Sequence, residues 1–197
     1  KEMVIPSVQK VQSASLITAI KTPYLENGKI DLRSFDYNAS KQIENGVEGF
    51  VIGGTTGEGH LLSWDEHIML IAHAKHNFGD KSLIIGNTGS NSTKEAMNAT
   101  EQGFAVGMDA SLQINPYYGK TSKSGLINHF NKVMEIGPAI IYNVPGRTSQ
   151  DISVDIMTEL SDNKNFVGVK ECMGRDRIQE YSDRNIVTEN NRVIIFD

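Results

Sequence analysis

Lys170 closes the apolar run Val167-Gly168-Val169, so its amine emerges from a strand that offers a charge little solvation. Burial disfavours the ammonium form, and a neutral lysine amine is the nucleophile that captures a carbonyl carbon as a Schiff base. Taken alone, a lysine finishing a strand at the surface is the commoner case. Its company changes the reading. In Ile140-Ile141-Tyr142-Asn143-Val144-Pro145-Gly146-Arg147-Thr148, a tyrosine lies inside the preceding strand and an arginine follows a Pro-Gly turn. A phenol at Tyr142 carries protons beside an amine, and a guanidinium at Arg147 holds a carboxylate through two parallel donors. The alternatives are a core tyrosine with a satisfied hydroxyl and a surface arginine.

Gly53-Gly54-Thr55-Thr56-Gly57-Glu58-Gly59 follows the second strand candidate. Such glycine density lets a backbone approach a ligand with its amides facing an anion. It is not a P-loop, because no lysine follows the last glycine, and Gly119-Lys120-Thr121 carries Ile114 where the first glycine of that motif belongs. The glycine spacing also excludes a dinucleotide fingerprint. Asn115-Pro116-Tyr117-Tyr118 offers a phenol after the fourth strand, or an aromatic pair packing at an interface. His67, His73 and His76 share one expected helix, but only the last two share a face and no carboxylate set completes a metal site, so they are read as surface histidines. Cys172 is expected to be a buried small hydrophobe.

Short β-rich apolar runs must position these groups: Leu16 to Lys21, Gly49 to Ile52, Leu83 to Gly86, Ala110 to Ile114, Ala139 to Val144, Val167 to Lys170 and Val193 to Ile195. Between them lie segments of helical period, opening at Asp31 before Leu32 and at two capping boxes, Ser63 to Glu66 and Ser92 to Glu95. Further helices are expected near Ser122 to Glu135, Ser153 to Leu160 and Arg175 to Tyr181. About seven strands and six helices in alternation define an α/β chain with a parallel sheet, either doubly wound or most of a (β/α)8 TIM barrel. Polar clusters directly follow five different strands, and that favours the barrel, whose chemistry gathers at the strand C-terminal ends. A doubly wound sheet concentrates its site at one switch point.

The chain has 197 residues with 39% hydrophobic and 22% charged composition, enough to bury one core, and one domain is the expectation. A net charge of -5 without a basic face argues against nucleic-acid and acidic-membrane partners. The single cysteine rules out an internal disulfide, and no apolar run approaches membrane-spanning length.

Four segments in order, Gly54-Thr55-Thr56-Gly57-Glu58, Pro116-Tyr117-Tyr118, Tyr142 to Thr148 and Val169-Lys170-Glu171, resemble the dihydrodipicolinate synthase family over nearly the whole chain. The run Gly53 to His67, with Trp64-Asp65-Glu66-His67, looks most like its plant plastid branch. The resemblance implies a barrel in which Lys170 forms an imine with pyruvate, and the enamine attacks aspartate semialdehyde to give 4-hydroxy-tetrahydrodipicolinate in lysine biosynthesis by the diaminopimelate route. It implies Tyr142 as proton donor and acceptor, Thr55 as relay, and Tyr118 as a contribution to a neighbouring subunit's site. It assigns the pyruvate carboxylate to Thr56 and the second substrate's carboxylate to Arg147. It implies no metal or organic cofactor, a homo-oligomer built as a dimer of dimers, and a plastid location. Feedback by lysine would fall to His60, Trp64, His67, Asn91, Glu95 and Tyr117; Glu95 also serves a capping box, and Trp64 has packing as its alternative. A relay of hydroxyls suits tyrosine, whose high ordinary pKa makes a free phenolate costly.

By the same resemblance the chain ends around the seventh strand, short of the eighth and of a C-terminal helical domain, and is expected to be unstable or inactive alone. Two other readings stay open. One is a sister lyase, such as an N-acetylneuraminate or keto-deoxy-sugar aldolase, against which Arg147 argues. The other is a catalytically dead paralogue that associates with active subunits, against which the set Lys170, Tyr142, Thr55 and Tyr118 argues.

Overall fold

A computed structural model describes residues 6–186 and 192–195, with side chains from residue 8 to residue 186. In chain order the elements are α1 (Pro6–Gln12), β1 (Ile17–Ala19), α2 (Leu32–Glu44), β2 (Gly49–Ile52), a 3-10 turn (Gly59–Leu61), α3 (Trp64–Phe78), β3 (Leu83–Asn87), α4 (Thr93–Ala105), β4 (Ala110–Ile114), α5 (Lys123–Met134), β5 (Ala139–Asn143), α6 (Pro145–Thr148), α7 (Val154–Ser161), β6 (Phe166–Glu171), α8 (Arg175–Asp183) and β7 (Arg192–Ile195). The described residues fall into two compact units. One holds Ala14–Asn87 and Gln102–Asp109; the other holds the described parts of 1–13, 88–101 and 110–197.

In the first unit, β1, β2 and β3 pair in parallel, with Ile17 opposite Gly49 and Gly49 opposite Leu83. Phe50, Ile52 and Ile84 from the sheet and Phe35, Leu70, Ile71 and Phe78 from the helices form one core. Helix α2 starts where Asp31 accepts from the Ser34 amide at 3.1 Å. The expected box at Ser63 is present: its hydroxyl accepts from the Glu66 amide at 3.2 Å and Glu66 Oε2 accepts from the Ser63 amide at 3.0 Å.

In the second unit, β4 to β7 pair in parallel in chain order. Every residue of β5 and β6 is buried, the pattern of parallel strands covered on both faces. Phe130, Ile141, Met157, Leu160, Val169 and Tyr181 share its core. Helix α1, which opens on Pro6 with no side-chain cap residue before it, buries Val8 and Val11 and donates Gln12 Nε2 to the Val167 carbonyl at 3.0 Å.

Three expectations change in detail. The first strand is only Ile17–Ala19. The Ser92 box is half formed: Ser92 Oγ accepts from the Glu95 amide at 3.3 Å, but the Glu95 carboxylate accepts from Ser90 Oγ at 3.1 Å instead of returning to the cap. The Pro-Gly turn before Arg147 is the one-turn helix α6. No described helix is long and apolar enough to cross a membrane.

Candidate active site

The register of β5 and β6 sets Tyr142 opposite Lys170, so the two side chains leave neighbouring strands on one face. Lys170 Nζ stands 4.4 Å from the centre of the Tyr142 ring, and the lysine is only 6% exposed. Burial pulls the amine below the ordinary lysine value; the nearby Cys172 thiol opposes this and the Arg147 guanidinium adds to it. A ring face attracts an ammonium, so the Tyr142 ring favours the charged form of the amine and burial opposes it. The neutral fraction of Lys170 is therefore larger near neutral pH than a surface lysine's, which is what attack on a keto carbon requires.

Arg147 sits on α6, whose chain reverses at Ser149 in the left-handed region with φ 59°. Its side chain is exposed, close enough to act on Lys170 electrostatically. Cys172 is exposed, contrary to the buried role expected of it, because it follows the last residue of β6 and leaves the sheet. Burial raises its thiol pKa against the Lys170 charge, which lowers it. Tyr117 is partly exposed, and Tyr118 is 98% exposed with φ 77°, a left-handed conformation that costs a non-glycine residue on the order of 1 kcal/mol or more. Asn91 and Glu95 are exposed at the start of α4.

In the first unit, Thr55 is half-buried and Thr56 exposed on the turn after β2. The glycines of this turn serve its own closure. A Cβ on Gly59 would lie 1.8 Å from the Gly53 carbonyl oxygen, and one on Gly53, at φ 67°, would lie 2.3 Å from His67 Nε2. The Gly53 carbonyl also accepts from Asn87 Nδ2 at 2.8 Å, and the Gly57 carbonyl from Thr22 Oγ1 at 2.6 Å. Thr55 and Thr56 thus ride on a turn pinned from three sides. His60 is exposed on the 3-10 turn, and Trp64 is half-buried.

His67 corrects the surface reading. It is 3% exposed, its ring lies 5.3 Å from that of Trp64, and Nε2 has no hydrogen-bond partner. Apolar surroundings on α3 take it from water, and burial pushes its pKa down to about 4 despite nearby backbone groups that favour the charged form. His73 is partly buried and meets Asp36 Oδ1 at 2.7 Å, while His76 is exposed as expected.

A stability prediction follows from His67. The folded chain holds it neutral, so the unfolded chain binds the extra proton between its ordinary value of 6.5 and about 4. The contribution is complete above pH 6.5 and is lost as pH falls toward 4, about 3 kcal/mol in all at ~1.4 kcal/mol per pH unit. Urea unfolding at pH 7 and pH 5 should show wild type losing about 2 kcal/mol more than His67→Gln over that interval. Equal losses in the two proteins would contradict it.

Residues not singled out in the sequence complete the second unit's picture. Asn143 and Glu171, one step beyond Tyr142 and Lys170, are buried in a hydrogen-bonded cluster with Asp151, Arg177 and Tyr181. His129 is buried between Thr93 Oγ1 at 2.8 Å and the Ile114 carbonyl at 3.0 Å, and burial lowers its pKa. Asn115 is fully buried with neither amide atom partnered. No group of three His, Cys, Asp or Glu among the described residues is placed to hold a metal.

Parallel strands alternating with helices, with a buried amine near a strand's C-terminal end, define an α/β protein with a candidate site at the strand ends. The sequence profile of the dihydrodipicolinate synthetase family matches residues 12–195, and the chain belongs to that family. It is 58% identical over 180 residues to the chloroplastic 4-hydroxy-tetrahydrodipicolinate synthase of Coix lacryma-jobi, covering 91% of this chain and 48% of the relative. Among solved structures it is similar to dihydrodipicolinate synthase from Bacillus anthracis, with TM-score 0.89, 33% identity and coverage of 93% of this chain and 63% of that one. It is also similar to the Acinetobacter baumannii enzyme complexed with pyruvate, at TM-score 0.85, 35% identity and coverage of 92% and 62%. The lysine-bound enzyme of Cyanidioschyzon merolae matches at TM-score 0.88, 30% identity and coverage of 94% and 64%. The fold class is accordingly that of the (β/α)8 TIM barrel, incomplete here. The chain spans about half the length of the curated relatives it matches.

Proposed function

We propose that the protein is a 4-hydroxy-tetrahydrodipicolinate synthase of lysine biosynthesis, in which Lys170 captures pyruvate as an imine and the resulting enamine attacks aspartate semialdehyde. The observation that carries this reading is the buried Lys170 amine held over the Tyr142 ring. Imine formation removes the carbonyl oxygen as water, and each proton it needs passes through a group of Tyr142's kind. Thr55 passes protons between Tyr142 and the Tyr118 of a second subunit. Tyr118 supports that role by its full exposure and strained backbone, which suit a side chain extended toward another copy in a homo-oligomer, a dimer of dimers in the whole protein. Thr56 receives the pyruvate carboxylate by hydroxyl and amide. No metal or organic cofactor takes part. The Acinetobacter structure with pyruvate supports the substrate, and the Cyanidioschyzon structure with lysine supports feedback at His60, Trp64, His67, Asn91, Glu95 and Tyr117. Relatives named chloroplastic support a plastid location.

Substrate assay separates this from a sugar-acid lyase. The whole protein should turn over pyruvate with aspartate semialdehyde and leave N-acetylmannosamine untouched; the reverse preference would refute the reading. Arg147 decides the second substrate. Arg147→Lys keeps a charge but loses the two-pronged geometry, worth roughly 1.5–3 kcal/mol. KM for the semialdehyde should rise about 10-fold to 100-fold while pyruvate is still captured. An unchanged KM would remove Arg147 from that role.

A further inference from the structure

The residues that follow the reactive pair face each other as well, Asn143 opposite Glu171. Strand alternation turns them to the other face of the sheet, where Asn143 is fully buried and Glu171 is 2% exposed. Asn143 Nδ2 donates to Glu171 Oε1 at 2.9 Å and to Asp151 Oδ1 at 2.8 Å, and Asn143 Oδ1 accepts from the Ile152 amide at 3.0 Å. Glu171 Oε1 accepts from the Cys172 and Met173 amides at 3.1 and 3.0 Å, and Oε2 accepts from the Tyr181 hydroxyl. Arg177 grips Asp151 through two bonds of 2.9 and 2.8 Å, with Nη1 4.0 Å from Glu171.

A buried carboxylate is a poor way to gain stability, since well-packed apolar groups of like volume serve as well or better. What this cluster provides is position. It ties together the end of β5, the end of β6, the turn after β6 and the segment that follows Arg147, and it fastens all of them to α8. We propose that Asn143 and Glu171 are positioning residues that fix the β5–β6 register and keep the Lys170 amine over Tyr142 and away from water. The proposal rests on the reading of Lys170 as the imine-forming lysine. Glu171 leaves its strand on the face opposite to Lys170, so the role argued for it is one of geometry.

The test reads the amine with and without substrate. Competitive acylation of the whole protein across a pH series, with mass spectrometry of the Lys170 peptide, gives the pH at which that amine is half reactive. Borohydride reduction in pyruvate gives its rate of capture. Glu171→Ala should raise the half-reactive pH by about one unit as water reaches the amine, and slow capture about 10-fold to 100-fold. Glu171→Gln keeps an acceptor for the Cys172 and Met173 amides and should stay within about threefold of wild type. Tyr181→Phe, which leaves the carboxylate and its other donors, should shift both readings less and in the same direction, and it decides the matter if the alanine variant does not fold. A folded Glu171→Ala or Tyr181→Phe protein with both readings at wild type would overturn the proposal, as would Gln and Ala variants shifted equally, which would make the effect one of charge. Absence of pyruvate capture in wild type would refute the reading of Lys170 alone, because the acylation series still measures whether Glu171 positions the amine.

Discussion

Lys170→Arg is expected to abolish covalent capture of pyruvate and to lower turnover of the whole protein by about 10⁵-fold or more, the scale on which losing a covalent nucleophile falls. Arginine keeps the positive charge and much of the stem length, so the pocket is neither emptied nor reversed in sign. What it cannot do is present a free amine, because a guanidinium stays protonated at any accessible pH. The enclosure that lowers the Lys170 pKa therefore has nothing to act on in the variant. The loss should be entirely chemical: circular dichroism and thermal unfolding of the variant should stay close to wild type, while reduction in pyruvate leaves the peptide unmodified. Retained capture in Lys170→Arg would place the imine elsewhere. In wild type, capture should speed up as pH rises toward the lowered pKa of this amine, since only the neutral form attacks.

Tyr142→Phe has the second largest expected effect, a fall of about 10²–10⁴-fold in kcat with little change in KM for pyruvate. The ring that lies 4.4 Å from Lys170 Nζ remains, so the amine keeps its neighbour and its burial. Only the hydroxyl is lost, and with it the group that moves protons as water leaves the carbinolamine. A rate split that leaves capture slow but complete identifies a proton carrier. A variant at wild-type kcat would return Tyr142 to a packing role and assign proton transfer to another group.

Much of this site was readable in one dimension because its parts are local. Val167 to Lys170 announced a buried strand ending in an amine, and the Tyr142 to Arg147 segment placed a phenol and a guanidinium at fixed offsets from the strand before it; the register of Tyr142 with Lys170 is the structural form of that pattern. The Ser63 box was readable for the same reason, both partners lying three residues apart. What escaped depends on contacts between distant residues. Glu171 is an ordinary acid in sequence, and Asn143, 28 positions earlier, and Tyr181, beyond a turn, join the Cys172 and Met173 amides in making its burial tolerable. His67 reads as a surface residue because no metal-ligand set accompanies it; the turn at Gly53 and Gly59 that closes over its ring comes from a different element. Cys172 misled in the opposite sense, its apolar type outweighed by its place just past the end of β6. Helix α1 has no cap signal, and its role is visible only where Gln12 meets Val167 across the fold.

The most direct test of the central claim is to incubate the whole protein with pyruvate, reduce it with borohydride and map the product by mass spectrometry. The account predicts a single reduced pyruvyl adduct on the peptide that contains Lys170, dependent on pyruvate and absent from Lys170→Arg. An unmodified Lys170, or an adduct carried by a different lysine, would contradict it.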